Sequence, residues 1–391
     1  MNFKDCVDLK INFSEDIFDN SDYLKTQISN KNILVIGGAG TIGSNYIKEL
    51  LIFQPRKIVV VDINENGLTE LTRELRSSKL LDYKPELITY PVNLLDDTFD
   101  KIFKSMPWDI ISNFSAHKHV RSEKDKISVE ALIKNNVFGA IKLLNLCELN
   151  PPKYFFSVST DKAANPVNIM GASKSLMEKL ILSKQSNFRV STARFANVAF
   201  SNGSLLDGFI YRINKRQPLS CPSDIKRFFV SPKQSGQICL LSTFLGDSGS
   251  IFFPKLDFHK DQIYFKDIAI DFLKNNGFDP LLVKSEKEAK EFNFDNNSTK
   301  YPVFFFKTDT SGEKAYEEFY TEEEHFDIKK YKSLGYINST ETEISFGSVK
   351  NDFEVVFSNP KASKLDIIKV IVKYVPDFSH IETGKHLDQK M

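Results

Sequence analysis

Residues 37–43 read Gly-Gly-Ala-Gly-Thr-Ile-Gly, directly after the apolar run Ile33-Leu34-Val35-Ile36. A short apolar run ending in glycines reads as a buried parallel strand followed by a tight turn. Ile42 to Phe53 then shows helical periodicity, and Lys57 to Val61 is a second buried strand. The loop satisfies G-x-G-x-x-G through Gly38, Gly40 and Gly43, and G-x-x-G-x-x-G through Gly37, Gly40 and Gly43. Such glycines allow a sharp turn, close approach of backbone to phosphate, and close packing of helix on strand. The following helix, opening at Thr41 and Ile42, aims free N–H groups and its positive dipole end at an anion. Asp62 ends the second strand at the distance where an acidic residue meets an adenosine ribose. Its charge would repel a 2′-phosphate, which favours NAD over NADP. Asn93 and Leu94 follow the third strand, where a polar residue would meet the adenine.

The alternation continues. Leu68–Ser77 reads as a helix, Leu87–Val92 and Asp109–Phe114 as strands, and Ser128–Leu149 as a long helix. Tyr154–Ser159 reads as a strand, Ser173–Ser186 as a helix and Arg189–Thr192 as a strand. The expected fold class is therefore α/β: a Rossmann-type doubly wound parallel sheet with a smaller C-terminal substrate-binding region. The expected division is an N-terminal arm over 1–30, helical around Asp19–Ile28, and an NAD-binding Rossmann domain over 31–200. A substrate-binding region follows over 201–330, with a charged, Asn-rich surface insertion at Ser285–Lys300. Residues 331–391 form a C-terminal extension of unknown role, with one helix, Ser363–Val375, and no motif.

Composition narrows the class. A chain of 391 residues can bury a large core without disulfide staples. Its net charge of +1 gives no electrostatic reason to bind nucleic acid or an anionic membrane. Cys6, Cys147, Cys221 and Cys239 form no CxxC pair, which points to reduced thiols and a cytoplasmic setting. No apolar run reaches the roughly 18 residues of a membrane helix. The N-terminus lacks the basic-then-apolar layout of a signal peptide. His117-x-His119 has no third ligand nearby, so no metal is expected.

Two further segments carry chemistry. Ser157-Val-Ser-Thr-Asp-Lys-Ala-Ala-Asn-Pro166 sits at the carboxyl end of a strand, the edge where such sheets bind ligands. Met170-Gly-Ala-Ser-Lys174 opens a helix. With these, the chain resembles the nucleotide-sugar 4,6-dehydratases of the extended short-chain dehydrogenase/reductase superfamily, over about residues 31 to 325. Other matching stretches are Ser115-Ala-His-Lys-His-Val120, Asn135-Asn-Val-Phe-Gly139, Ala193-Arg-Phe-Ala-Asn-Val198, Ser201-Asn-Gly-Ser204 and Ser311-Gly-Glu-Lys-Ala-Tyr-Glu-Glu318. The similarity is greatest to the UDP-N-acetylglucosamine 4,6-dehydratases of bacterial surface glycan biosynthesis.

The resemblance implies an internal redox cycle. NAD⁺ takes hydride from sugar C4, water is eliminated across C5 and C6, and the hydride returns to C6 to give a 4-keto-6-deoxy sugar. The chemistry requires a proton acceptor at O4, a base at C5 and an acid at O6. By similarity, Thr160 hydrogen-bonds near the 4-hydroxyl, Asp161 is the acid at O6, and Lys162 is the base at C5. That last role requires a depressed pKa. Lys174 would hold the nicotinamide ribose. Ala116, Lys118 and Asn136 would lie at the cofactor, with Asn136 anchoring the active-site backbone. Lys118, His119, Asn197, Ser204 and Glu313 would face the substrate, and Arg227 would grip its diphosphate bidentately. In the superfamily, helices such as Ser128–Leu149 also pair subunits, so a homo-oligomer is expected.

One position departs from the superfamily. Most members carry Tyr four residues before the catalytic Lys, and here that position is Met170. A thioether cannot exchange this proton. Met170 marks either a catalytically inactive nucleotide-binding relic or the dehydratase subgroup that also carries Met there. The intact Thr160-Asp161-Lys162 favours the subgroup. The O4 proton then goes to Asp161, Lys162 or a water held by Thr160. A nucleotide-sugar 4-epimerase or reductase is the alternative on the same fold, and it would not need the Asp161–Lys162 pair.

Overall fold

A computed structural model describes residues 11–257, 260–294, 299–308, 317–340 and 343–380, apart from the side chains of Arg121 and Ser122. The described residues open with helices α1 (Phe13–Asp19) and α2 (Ser21–Ile28). The chain then alternates through β1 (Asn32–Ile36), α3 (Thr41–Leu51), β2 (Lys57–Asp62), α4 (Glu65–Arg76), β3 (Glu86–Pro91), α5 (Asp97–Lys104) and β4 (Ile110–Asn113). Next come α6 (Lys126–Ile133), α7 (Gly139–Leu149), β5 (Tyr154–Val158), α8 (Ile169–Leu182) and β6 (Arg189–Ala193). Shorter elements follow: β7 (Asn197–Val198), α9 (Leu205–Asn214), β8 (Leu219–Pro222), β9 (Lys226–Val230), α10 (Pro232–Phe244), β10 (Ser250–Pro254) and β11 (Gln262–Tyr264). The chain continues through α11 (Phe265–Asn275), β12 (Asp279–Val283), α12 (Glu286–Lys290), β13 (Lys300–Phe306), β14 (Phe326–Asp327), β15 (Leu334–Asn338), α13 (Phe346–Ser358) and α14 (Lys364–Tyr374).

Among the described residues the central sheet has nine strands in the order β14-β15-β10-β6-β5-β4-β1-β2-β3. From β10 to β3 every pairing is parallel, and β15 joins antiparallel to both β10 and β14. The all-apolar strands are explained by burial on both faces. Ile33 and Val35 of β1 enter one core with Ile58 and Val60 of β2, while Leu34, Ile36, Val59 and Val61 enter the other. Helices α3, α4 and α10 cover the first face, and α5 to α8 the second. A third, smaller core joins α9, α11, β8 and β13. The doubly wound α/β fold with a smaller region behind it is thus present.

Three segments differ in detail from their sequence pattern. The long helix expected over Ser128–Leu149 is broken by a π-type turn at Lys134–Phe138, between α6 and α7. Helix α8 begins at Ile169, earlier than Ser173, because Asn168 accepts from Gly171 N at 2.7 Å and caps it. The residues beyond 331 hold more structure than one helix. Strand β15 extends the sheet, and α13 and α14 cover α6 and α8, with Phe138 6.3 Å from Phe353 and 6.0 Å from Phe357. The helical face expected to pair subunits is, along this stretch, covered by the chain's own C-terminal helices. At the other end, Phe13, Leu24 and Ile28 of α1 and α2 are buried in the first core.

Candidate active site

The site lies at the carboxyl edge of the parallel strands, where the chain order reverses between β1 and β4. Gly37 follows β1 with φ +75°, and a side chain there would strike Ser115 N in the loop after β4, 2.5 Å from the Cβ position. A Cβ on Gly43 would lie 2.5 Å from Gly37 O. The loop is therefore folded as tightly as backbone allows. Gly40 is the N-cap of α3, and no side chain among the described residues caps that helix. The first-turn N–H groups at Thr41, Ile42 and Gly43 therefore face the loop opening with the positive end of the helix dipole. Asp62 accepts from Ala39 N at 2.9 Å and from Asn64 N at 2.9 Å, so its carboxylate is aimed back at the loop. Gly38 packs against Val60, leaving no room for a side chain.

The other cofactor candidates take varied positions. Asn93 accepts from Leu95 N in its own turn. Leu94 is buried in the second core and meets Gly139. Asn136, in the π-type turn, brackets His117 by accepting from its N–H at 2.8 Å and donating to its carbonyl at 3.0 Å. It also donates to Ser173 Oγ at 2.9 Å. The loop Ala116–His119 is thereby tied to α8. Lys118 Nζ donates to Asn202 O at 2.9 Å, and Asn202 N donates to Thr41 Oγ1 at 3.0 Å. The Ser201–Ser204 loop thus spans from the glycine loop to Lys118. His119 lies against Gly203. Ser204 caps α9 by accepting from Asp207 N at 3.1 Å.

Thr160, Asp161 and Lys162 form a single turn after β5. Thr160 Oγ1 donates to Asp161 Oδ1 at 2.6 Å, and Lys162 Nζ donates to both Asp161 oxygens at 3.1 Å. Asp161 is almost wholly buried. Glu317, also buried, shares Lys162 with it. Lys162 Nζ is 3.6 Å and Arg227 Nε 3.3 Å from Glu317 Oε1. Asn197 Nδ2 donates to Glu317 Oε1 at 2.7 Å, and Phe228 N donates to Oε2 at 3.1 Å. Asn197 and Arg227, expected at the sugar diphosphate, thus converge on this carboxyl. Glu313 lies outside the described residues.

Charge in this cluster runs against one expectation. Burial alone would pull the Lys162 ammonium down, but Asp161 and Glu317 more than offset it, and the net direction is up. The depressed pKa required of a resting base is therefore not found at Lys162, because two carboxyl groups face it. Burial pushes Asp161 up, yet Lys162 and the Thr160 hydroxyl outweigh it, so its carboxyl stays below the usual range. Glu317 is pushed up to about 8, by burial first and by the negative charge of Asp161 second. Lys174 is brought down to about 8 by burial, with Glu178 opposing. Its Nζ donates to Val158 O at the end of β5, at 2.7 Å.

Met170 is buried in the second core, and its N–H donates to Glu123 Oε1 at 2.8 Å. The neighbouring Ile169 N donates to Glu123 Oε2 at 3.0 Å. Glu123 and Glu317 were not singled out in the sequence. Glu317 falls within the matching stretch Ser311–Glu318, but nothing in that stretch separates it from Glu318 or Glu313. Among the described residues no cluster could hold a metal ion, and no helix is long and apolar enough to cross a membrane.

Fold and site together define an enzyme of the nucleotide-sugar dehydratase/epimerase group within the extended short-chain dehydrogenase/reductase superfamily. The chain belongs to the polysaccharide biosynthesis protein family, whose profile matches residues 33–339. An uncharacterized membrane protein of Methanocaldococcus jannaschii is 28% identical over 357 residues, 90% of this chain and 97% of that protein. A UDP-N-acetylglucosamine 4,6-dehydratase (inverting) of Campylobacter jejuni is 30% identical over 58% of this chain and 67% of its own length. A UDP-glucose 4-epimerase of Rickettsia bellii is 30% identical over 58% of this chain and 66% of that protein. Two further relatives from polysaccharide biosynthesis are longer, and the chain spans 38% and 49% of their lengths. Among solved structures, Pen from Bacillus thuringiensis superposes with a TM-score of 0.66 at 21% identity, covering 83% of this chain and 97% of its own. WbmF of Bordetella bronchiseptica in complex with NAD⁺ gives 0.51 at 18% identity, covering 64% and 81%.

Proposed function

We propose that this protein is an NAD-dependent 4,6-dehydratase of a nucleotide-diphospho-N-acetylhexosamine, UDP-N-acetylglucosamine foremost, and that it serves surface glycan biosynthesis. The observation that carries this reading is the buried turn Thr160-Asp161-Lys162 at the strand edge, with a second carboxyl against it. A 4-epimerase needs proton exchange at O4 alone. A dehydratase also needs groups at C5 and O6, and a cluster of this kind can supply them.

The glycine cradle, the uncapped start of α3 and the orientation of Asp62 fit the pyrophosphate and ribose of NAD. When bound, NAD supplies the oxidation at C4 and the matching reduction at C6. Lys174, buried beneath the strand end, holds positive charge beside the nicotinamide ribose. Thr160 orients the 4-hydroxyl. Asp161, the anion of the turn, acts at O6 and is the acid there once it has taken up a proton, while the 4-hydroxyl proton leaves through a water held by Thr160. Lys162 sits at C5, where removing a substrate proton requires it first to shed the proton its two carboxylate neighbours favour. The Ser201–Ser204 loop, Lys118 and His119 line the approach to the sugar.

Incubating the purified protein with UDP-N-acetylglucosamine in deuterated water tests the reading by NMR. The expected product is a 4-keto-6-deoxy sugar with deuterium at C5. A C4 epimer that keeps its 6-hydroxyl would assign the chain to the epimerases instead.

A further inference from the structure

Arg194 follows β6 and is buried, yet the proposed reaction gives it no task. Its backbone lies against the catalytic turn. Ser159 N donates to Ala193 O at 2.8 Å and Asp161 N to Phe195 O at 3.1 Å, one residue to either side of Arg194. Its guanidinium reaches two carboxylates at once. Nε and Nη2 donate to Glu178 at 3.1 and 2.8 Å, and Nη1 and Nη2 to Glu324 at 2.7 and 2.9 Å. Nη1 also donates to Phe319 O at 3.0 Å. Glu178 stands on α8, one turn after Lys174 and on the same helix face. Glu324 closes the stretch Glu317–Glu324, which is neither helix nor strand. What its side chains meet therefore fixes this stretch. At one end Glu317 holds Arg227 and Asn197. At the other Glu324 holds Arg194 and accepts from Thr321 N at 2.8 Å. Between them Phe319 lies against Phe228 and Phe253, with ring centroids 5.6 and 6.2 Å apart.

We propose that Arg194 is a positioning residue for the substrate side of the site: it clamps Glu324 to Glu178, so that the Glu317–Glu324 stretch presents Glu317 to Arg227 and Asn197. This rests on the dehydratase reading, in which Arg227 and Asn197 meet the sugar diphosphate. The guanidinium of Arg227 is held at Nε by Glu317 and at Nη1 by Lys226 O. A planar fork grips a phosphate well only when its orientation is fixed by such neighbours. Arg194 suits the clamp because all five of its N–H groups are engaged, and an ammonium in its place could not serve two carboxylates and a carbonyl together. One cation between two anions also makes the clamp separable. Removing the Glu324 charge leaves the Arg194–Glu178 pair complete, so no buried charge is orphaned while the stretch loses its hold. Lys174 is held separately, through Val158 O. Loosening the stretch thus weakens the grip on the diphosphate and removes no group at the reacting atoms. The consequence is a raised KM with kcat kept, the pattern of an interaction common to substrate and transition state.

The test is Glu324→Gln, assayed in the cofactor-loaded protein with UDP-N-acetylglucosamine. The Glu324 side chain is 23% exposed, so the amide does not strain a sealed core. Its KM should rise about tenfold, the scale of one charge-assisted hydrogen bond, with kcat within about twofold of wild type. Glu324→Asp, which restores the charge, should recover part of that rise. Ile371→Val, which trims the second core, should lower the thermal melt without moving KM. Because the clamp acts through Glu317, Glu317→Gln and the double variant Glu317→Gln/Glu324→Gln should share one KM. An unchanged KM in Glu324→Gln, a fall in kcat alone, an equal KM rise in Ile371→Val, or rises that add in the double variant would each overturn the clamp and leave the dehydratase reading standing. A wild-type protein with no turnover of nucleotide sugars overturns that reading, and this role for Arg194 falls with it.

Discussion

The glycine loop and the charge cluster sit at the same sheet edge but are built in opposite ways. The loop is backbone: its shape follows from seven consecutive residues, and its contacts are N–H groups and close approaches such as Gly43 to Gly37 O. The cluster is side chains: Asp161, Lys162, Asn197, Arg227 and Glu317 come from four stretches of chain and hold one another by hydrogen bonds and charge. A local site tolerates change elsewhere and fails by steric overlap. An assembled site fails when one member leaves an unpaired charge behind.

That contrast should show most strongly next to the cluster. Arg194 is buried with bidentate contacts to Glu178 and further contacts to Glu324 and Phe319 O. Arg194→Met should cost about 3–5 kcal/mol in denaturant unfolding, because Glu178 stays buried without its partner. A cost near zero would mean that side-chain charge is not what holds this part of the molecule together.

Gly43→Ala should cost about 1–3 kcal/mol, the usual range for overpacking, and should remove any nicotinamide cofactor that co-purifies. Gly40→Ala places its Cβ 3.5 Å from Gly37 O, an ordinary contact, and should leave stability near wild type. Equal costs for the two would break the steric account of the loop.

A smaller effect appears in pH dependence. The raised pKa of Glu317 means that between the ordinary carboxyl range and about 8 the folded state binds more protons than the unfolded chain. That contribution is fully present below the ordinary carboxyl range and is lost as pH rises through about 8. Thermal melts of wild type should therefore decline across that window more steeply than those of Glu317→Gln. Parallel declines would remove Glu317 from the account.

The same contrast explains what the sequence could disclose. The loop, β1, β2 and Asp62 were legible because consecutive residues carry them, and the doubly wound sheet follows from their repetition. The turn at Thr160 was legible for the same reason. Glu317 was not, since its meaning arises only when β9 and the segment after it fold against β5. The depressed pKa expected of Lys162 was not found for the same reason, because Glu317, which adds to the charge of the adjacent Asp161, meets it only in the fold. Strand β15 was not legible because it is five residues long and its antiparallel partners, β10 and β14, meet it only in the fold.

The central claim is that redox work belongs to the glycine loop and proton work to the cluster. Rapid mixing of the cofactor-loaded Asp161→Asn variant with UDP-N-acetylglucosamine, followed by the absorbance of reduced nicotinamide, separates the two. The account predicts that the absorbance rises and persists in Asp161→Asn while product formation falls about 100-fold or more, whereas in wild type the absorbance rises and decays as product forms. If Asp161→Asn lost the absorbance rise and product formation equally, the division of labour between loop and cluster would be contradicted.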